Sequence, residues 1–405
     1  MIPNRISGIK TADRGFSTYG LLFFLQEKVS IMNKTTSSLK TLHIDNPLFS
    51  PDTASMGCND RKTVLEAVMV DGTLLCYASA DLKKDDEIVW EAIGNDGFAL
   101  LYADEKYLHK MDYVVRAVSV SPTILILLPP RYRNCKKTVH AAVERNGYCL
   151  KMASAFYKND KETVLKAVKN AGCALKYASP EMQKNKTIVR AALQNNGMAL
   201  CFADDSIRKL TRYILMAVTQ NGLALQYVEA KDSKEYINIV IAAVKNNPKA
   251  IVFASDWAKK NVRVAMETVS RDPMMLEYFD EIIKSNERVG KKAVSVNGMA
   301  LGLCASNLRS DRETVIIAVR NKGKALQFAK QRLRSDRGIV YDAVNNDGMS
   351  LEWAEGGLKD DKGIRTVAFR QNILSIGIAS EDTDFFDDIS QKKKYFRINC
   401  NNNRE

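Results

Sequence analysis

The sequence predicts an all-α fold, an α-solenoid of about thirteen 25-residue helix-pair repeats, and three observations carry that prediction. An Ala-Val dipeptide or a close relative returns at fixed spacing along most of the chain. Glycine, leucine and an aromatic residue keep the same register behind it. Within each unit the apolar positions have helical spacing, and only nine prolines interrupt 405 residues.

The anchor dipeptide begins at Ala67-Val68 and Ala92-Ile93, passes through Ala167-Val168 and Ala217-Val218, and ends, more weakly, at Ala368-Phe369. The step is 25 residues except once, where Ala217 is followed by Ala243 after 26. Glycine stands five residues after most anchors, as in Gly72, Gly172 and Gly348. Leucine or isoleucine stands eight after, as in Leu75, Leu175 and Ile251. An aromatic usually stands ten after, as in Tyr77, Tyr177, Phe253 and Trp353.

The clearest unit runs from Asp160 to Asn185. Asp160 is placed to cap the helix N-terminus, and Val164, Leu165, Ala167 and Val168 form its apolar stripe. Gly172 is expected to stop that helix as a left-handed residue. A second short helix follows through Ala174, Leu175, Tyr177 and Ala178, and Ser179-Pro180 ends or bends it. Met182 adds one more apolar contact. The leucine and the aromatic are expected to fill the space between layers. Two helices this short are marginal alone, so stability must come from stacking on neighbours.

The departures stand out against this frame. The third unit replaces glycine with Pro122 and reads Ile124-Leu125-Ile126-Leu127-Leu128, either a fully buried degenerate unit or a kink that exposes a sticky patch. Pro248 and Pro273 also replace glycine, next to the 26-residue step, so a change of path is expected near residues 230–272. The last unit has Ile373 in the glycine position and reads as a terminal cap. The array is drawn as residues 46–380, preceded by a disordered leader over 1–45 and followed by an acidic, then basic, disordered tail over 381–405.

Three readings of residues 1–31 stand side by side: an upstream extension with the true start at Met32 (MNKTTSSLK), a weak signal peptide around Gly20–Leu25, or a floppy leader. No stretch reaches the roughly 18 apolar residues that span a bilayer. The net charge of +13 is spread thinly. Both ends are basic, Glu381–Asp388 is acidic, and the repeats mix both signs, unlike a dedicated phosphate tracker. The lysine-rich run after Gln391 offers at most a weak contact for acidic membranes or nucleic acid.

Chemistry is sparse. Three scattered histidines (His43, His109, His140) and eight cysteines without C-x-x-C pairing give no metal motif. Cys149, Cys173 and Cys304 fall on apolar repeat positions and read as reduced core thiols. Asp85-Asp86 and its counterparts lie at helix starts, as caps rather than an acid–base pair. Met198, Met274, Met275, Met299 and Met349 read as gap-fillers. There is no phosphate-binding glycine loop, nucleophile elbow or zinc-helix motif. No residue is put forward as catalytic, cofactor-binding or metal-ligating, and no cofactor is expected.

Residues 162–175 (ETVLKAVKNAGCAL) and 188–203 (IVRAALQNNGMALCFA) resemble a recurring pattern of the domain-of-unknown-function family 4116. The resemblance covers residues 59 to 354. It implies short tandem α-helical repeats, common in bacteria living inside eukaryotic hosts and in protists, and it brings no established activity or site residues. It also implies a setting, an effector delivered into a host cell. The expected function is a non-enzymatic protein–protein interaction scaffold, cytoplasmic or acting in host cytoplasm, with a host protein as one candidate partner. The alternative is a nucleic-acid or acidic-membrane binding solenoid.

Overall fold

A computed structural model describes residues 58–372 together with Leu374 and Ser375. The leader, the tail and residues 46–57, 373 and 376–380 of the expected array lie outside the described residues. The contacts divide the chain into two compact units, residues 1–124 and 125–405, with the boundary inside the short helix Pro122–Ile126.

Thirteen long helices occur among the described residues, one per anchor. The first unit holds α1 (Arg61–Val70), α2 (Asp86–Asn95) and α3 (Met111–Val120). The second begins with α4 (Lys136–Arg145), α5 (Lys161–Asn170), α6 (Lys186–Asn195) and α7 (Thr211–Gln220). It continues with α8 (Lys234–Asn246), α9 (Val262–Val269), α10 (Glu287–Val296), α11 (Arg312–Asn321), α12 (Arg337–Asn346) and α13 (Lys362–Gln371). The fold is an all-α repeat solenoid, and each repeat is numbered here by its long helix.

The long helices form for local reasons. The Asp160 carboxylate accepts the Thr163 backbone N–H at 2.8 Å and its hydroxyl at 2.6 Å, which satisfies the first turn of α5. Asp85 does the same for Glu87 and Ile88 in α2, so it is a cap, as read from the sequence. Inside α5, Thr163, Val164, Ala167 and Val168 are fully buried. Each valine contributes about 1.5–3 kcal/mol by leaving water, so a buried charge at Val164 would break the layer.

The second element differs from expectation. It is a six-residue 3-10 helix, Gly172–Tyr177 in repeat five, and its counterparts run from Gly72–Tyr77 to Gly348–Trp353. The leading glycine does not take a left-handed conformation either. Among the described residues only Gly356 (φ +64°) and Gly357 (φ +78°) do, in a turn before α13. The α5 helix ends simply because Ala171 turns extended, and the glycine is needed for a different reason. A Cβ on Gly172 would stand 2.4 Å from the carbonyl oxygen of Ala192 in the next repeat.

A third element was not separated in the sequence. Ser179-Pro180 starts a helix, Pro180–Lys184, with Ser179 accepting the Met182 N–H at 3.3 Å and Pro180 in the first turn, where it has no bond to lose. Met182 is buried. The repeat is therefore a long helix, a 3-10 helix and a short helix.

Burial corrects several side-chain expectations. The aromatic ten residues after the anchor is not fully buried, although the Phe328 ring lies against Gly302 of the preceding repeat. Tyr77, Tyr177 and Phe328 are half-buried, while Phe253 and Tyr278 are exposed. In the third repeat Ile124, Leu125 and Leu128 are buried while Ile126 and Leu127 are exposed, so neither expectation holds alone. Met274 is exposed and Met198, Met275, Met299 and Met349 are half-buried, so none of the five lies in the core. Cys149 and Cys304 are buried, and burial pushes their thiols up to about 12 and about 11; Cys173 is only half-buried. Among the described residues no helix is long and apolar enough to cross a membrane.

Candidate functional site

The 26-residue step marks the place where the repeat changes composition. Repeat seven has its 3-10 helix, Gly222–Tyr227, but no short helix follows; residues 228–233 run as coil and bends. Instead α8 starts early and spans 13 residues rather than ten.

The missing helix would also remove a hydrogen-bond acceptor. In repeats four, five and nine a carbonyl at the short helix's C-terminal end accepts a backbone N–H from the repeat that follows. Ser179 donates to Lys158 at 2.9 Å, Asp204 to Gln183 at 3.1 Å and Ala305 to Lys284 at 3.0 Å. Ser255 has no such carbonyl. Its N–H donates to the Tyr236 hydroxyl, 3.3 Å away, on the first turn of α8. Tyr236 is itself buried, and burial raises its phenol above the ordinary range.

A cavity of about 530 Å³ opens beside Tyr236. The end of the Gly222–Tyr227 helix lies on one side and the start of α8 on the other, the two elements between which a short helix packs in the regular repeats. Ile214, Tyr236 and Ile239 contribute buried side chains to its lining, with half-buried Tyr227 and Val228. Its charged lining includes Glu229, Lys231 and Glu235 from the irregular segment and α8, with Lys209 and an Asp205–Arg208 ion pair from repeat six. The volume suits a small group of side chains.

The next two repeats expose an apolar surface. Val252, Phe253 and Trp257 of repeat eight, with Met274, Tyr278 and Ile282 of repeat nine, are between 39% and 64% exposed. All six lie on 3-10 or short helices. Exposed apolar side chains clustered in this way mark interaction surfaces more often than single ones do. Sequence reading marked the irregular stretch but missed the surface, because the aromatic position was assigned to the core.

One further cluster brings possible metal donors together. Donor atoms of His140, Asp160 and Glu162 lie within 4.8 Å of one another. Each is already engaged: Asp160 caps α5, Glu162 pairs with Lys136 at 2.7 Å, and His140 Nε2 lies 2.9 Å from the Thr163 hydroxyl. Burial, then the charge of Lys166, lowers the His140 pKa. The arrangement is a helix start with its ion pairs.

The architecture defines a class, a tandem α-repeat protein built from 3-10 and α elements. Within that class the chain belongs to the family described as Domain of unknown function (DUF4116), whose pattern matches residues 60–108, 135–183, 160–208, 211–257, 261–309, 291–334 and 311–356. The matches pass over residues 109–134, where the Pro122 helix and the boundary between the two compact units fall. No curated protein and no solved structure matches the chain.

Proposed function

We propose that this chain is a non-enzymatic scaffold that binds another protein through the 3-10 and short-helix side of repeats eight and nine. The observation that carries the reading is the exposed set Val252, Phe253, Trp257, Met274, Tyr278 and Ile282. Tryptophan and tyrosine anchor protein interfaces out of proportion to their number, because a large amphipathic surface leaves water at little entropy cost.

Two of the cations near this surface are paired with acids, which favours a protein over a polyanion. Lys259 lies 4.0 Å from Asp256 and Lys284 3.7 Å from Glu281, within their own short helices. Paired cations release fewer counterions on meeting a phosphate backbone. The family's occurrence in bacteria that live inside host cells makes a host protein the partner we favour, which a translocation-reporter fusion can examine separately.

The test pairs Trp257→Glu with Ile282→Glu and compares cross-linked, affinity-purified partners with those of the unaltered chain. Loss of a specific partner at unchanged melting temperature is the expected result. An identical partner set, or none above a control surface, would overturn the reading.

A further inference from the structure

The repeats themselves show what fits the cavity between repeats seven and eight. In repeats six, nine, ten and eleven the short helix buries one large aliphatic residue: Ile207, Ile283, Leu308 and Leu333. A lysine or arginine follows it directly, as in Arg208, Lys284 and Arg309. Two of these four helices, in repeats six and nine, also carry an acid in the first turn, Asp205 and Glu281; the other two carry none. The shared motif is aliphatic, then base, with an acid ahead of it in repeats six and nine.

We propose that this cavity receives one helical turn from a partner protein, with a large aliphatic or aromatic side chain followed by lysine or arginine. The incoming turn takes the position that a short helix holds elsewhere. Its apolar side chain would rest against Ile214, Tyr236 and Ile239. Its charges find complements on the lining: Glu229 and Glu235 for the base, Lys209 and Lys231 for the acid. None of these four is in an ion pair among the described residues. The elements on both sides are already folded, and Tyr236 supplies the acceptor that Ser255 needs, so the site stands formed before a partner arrives. This inference rests on the protein-binding reading and narrows it to a motif.

The probe is a fluorescein-labelled, side-chain-cyclised helical peptide carrying Asp-Asp-Ser-Ile-Arg-Lys, the turn of residues 204–209, titrated into the full chain by fluorescence polarisation. Saturable binding is expected, with at least a tenfold loss when the peptide isoleucine becomes aspartate. A similar loss is expected when the chain carries Glu229→Lys with Glu235→Lys, at unchanged melting temperature. A second variant, with residues 230–233 replaced by a regular short-helix turn, should fill the cavity from within and abolish binding. No saturable binding, or binding indifferent to the peptide isoleucine and to both chain variants, overturns the proposal. So does a concentration-dependent dimer that the same charge reversal dissolves, since a second copy would then hold the site. Partner capture through Trp257 and Ile282 is read independently, so either idea can fail alone.

Discussion

Gly172 and Ala192 approach so closely that a single added Cβ on the glycine would stand 2.4 Å from the alanine's carbonyl oxygen. The same relation recurs at 2.2 Å between Gly147 and Ala167, at 2.3 Å between Gly222 and Ala243, and at 2.2 Å between Gly298 and Ala318. The two most regular sequence positions, glycine and the anchor alanine, are therefore two sides of one contact between consecutive repeats. The carbonyl cannot yield easily, because it accepts the N–H that ends its own helix, from Asn196 at 2.8 Å.

Gly172→Ala tests that contact. The methyl group must push the two layers apart, and overpacking of this kind costs about 1–3 kcal/mol. Urea denaturation should show the loss. In a repeat array the effect should be concentrated at repeats five and six, where hydrogen exchange would quicken first. Unchanged stability would mean that the layers slide freely.

A second link between layers is an amide clamp. Asn195 Oδ1 accepts the Gly172 N–H at 2.7 Å, and its Nδ2 donates to the Lys169 carbonyl at 2.9 Å. Asn170, Asn321 and Asn346 clamp their preceding repeats in the same way. Where the glycine is Pro248, no N–H exists to be accepted, and the clamping residue is Arg271, a donor only, bonded to the Lys245 carbonyl at 3.1 Å. A double-mutant cycle on Pro248→Gly and Arg271→Asn should therefore show favourable coupling of about 0.5–1.5 kcal/mol, since only the double variant completes the clamp. Additive effects would contradict the pairing.

The period, the cap at Asp160 and the apolar stripe of α5 were legible in the sequence because each is a local choice repeated many times. The contact under Gly172 was not. Glycine after a helix usually signals a left-handed cap, and nothing local distinguishes that cause from a close approach by the next repeat. Asn195-Asn196-Gly197 hides a non-local contact in the same way. Asn196 does cap its own 3-10 helix through Met198, but Asn195 reaches back to the previous layer. The third element escaped because four or five residues are too few to show a helical period. The cavity showed only as a 26-residue step, since an absent helix leaves no pattern of its own.

Stability should depend on pH in three windows, two on the acid side and one on the alkaline side. Hydrogen bonding from Arg61 holds Asp85 below its ordinary 3.8, that from Thr314 does so for Asp311, and that from Arg337 for Asp361. A depressed carboxylate pKa contributes stability above the unfolded value, and that contribution disappears as pH falls through the folded one. His140 is lowered from 6.5 by burial, so its contribution is complete above that value and declines as pH drops below it. Melting temperature should stay level between about pH 7 and 8, sag slightly below 6.5 and fall steeply below about 4; above about 9 it should fall again, because the Cys149 and Cys304 thiols ionise in the unfolded chain while burial keeps them protonated in the fold. His140→Gln should remove the upper sag alone; a sag that persists would assign it to another group.

Tyr236→Phe isolates the repair at the irregular step. The ring stays buried, so packing is retained, while the Ser255 N–H loses the hydroxyl that stands in for the missing short-helix carbonyl. Leaving that donor half-buried and unpaired should cost about 1 kcal/mol. The cost should appear as faster hydrogen exchange at Ser255 and not at Ser179, whose acceptor is the Lys158 carbonyl. Equal exchange at both serines would show that water replaces the hydroxyl without loss. The same substitution should barely alter binding of the aliphatic peptide, because it keeps the ring and removes only an oxygen already bonded to Ser255.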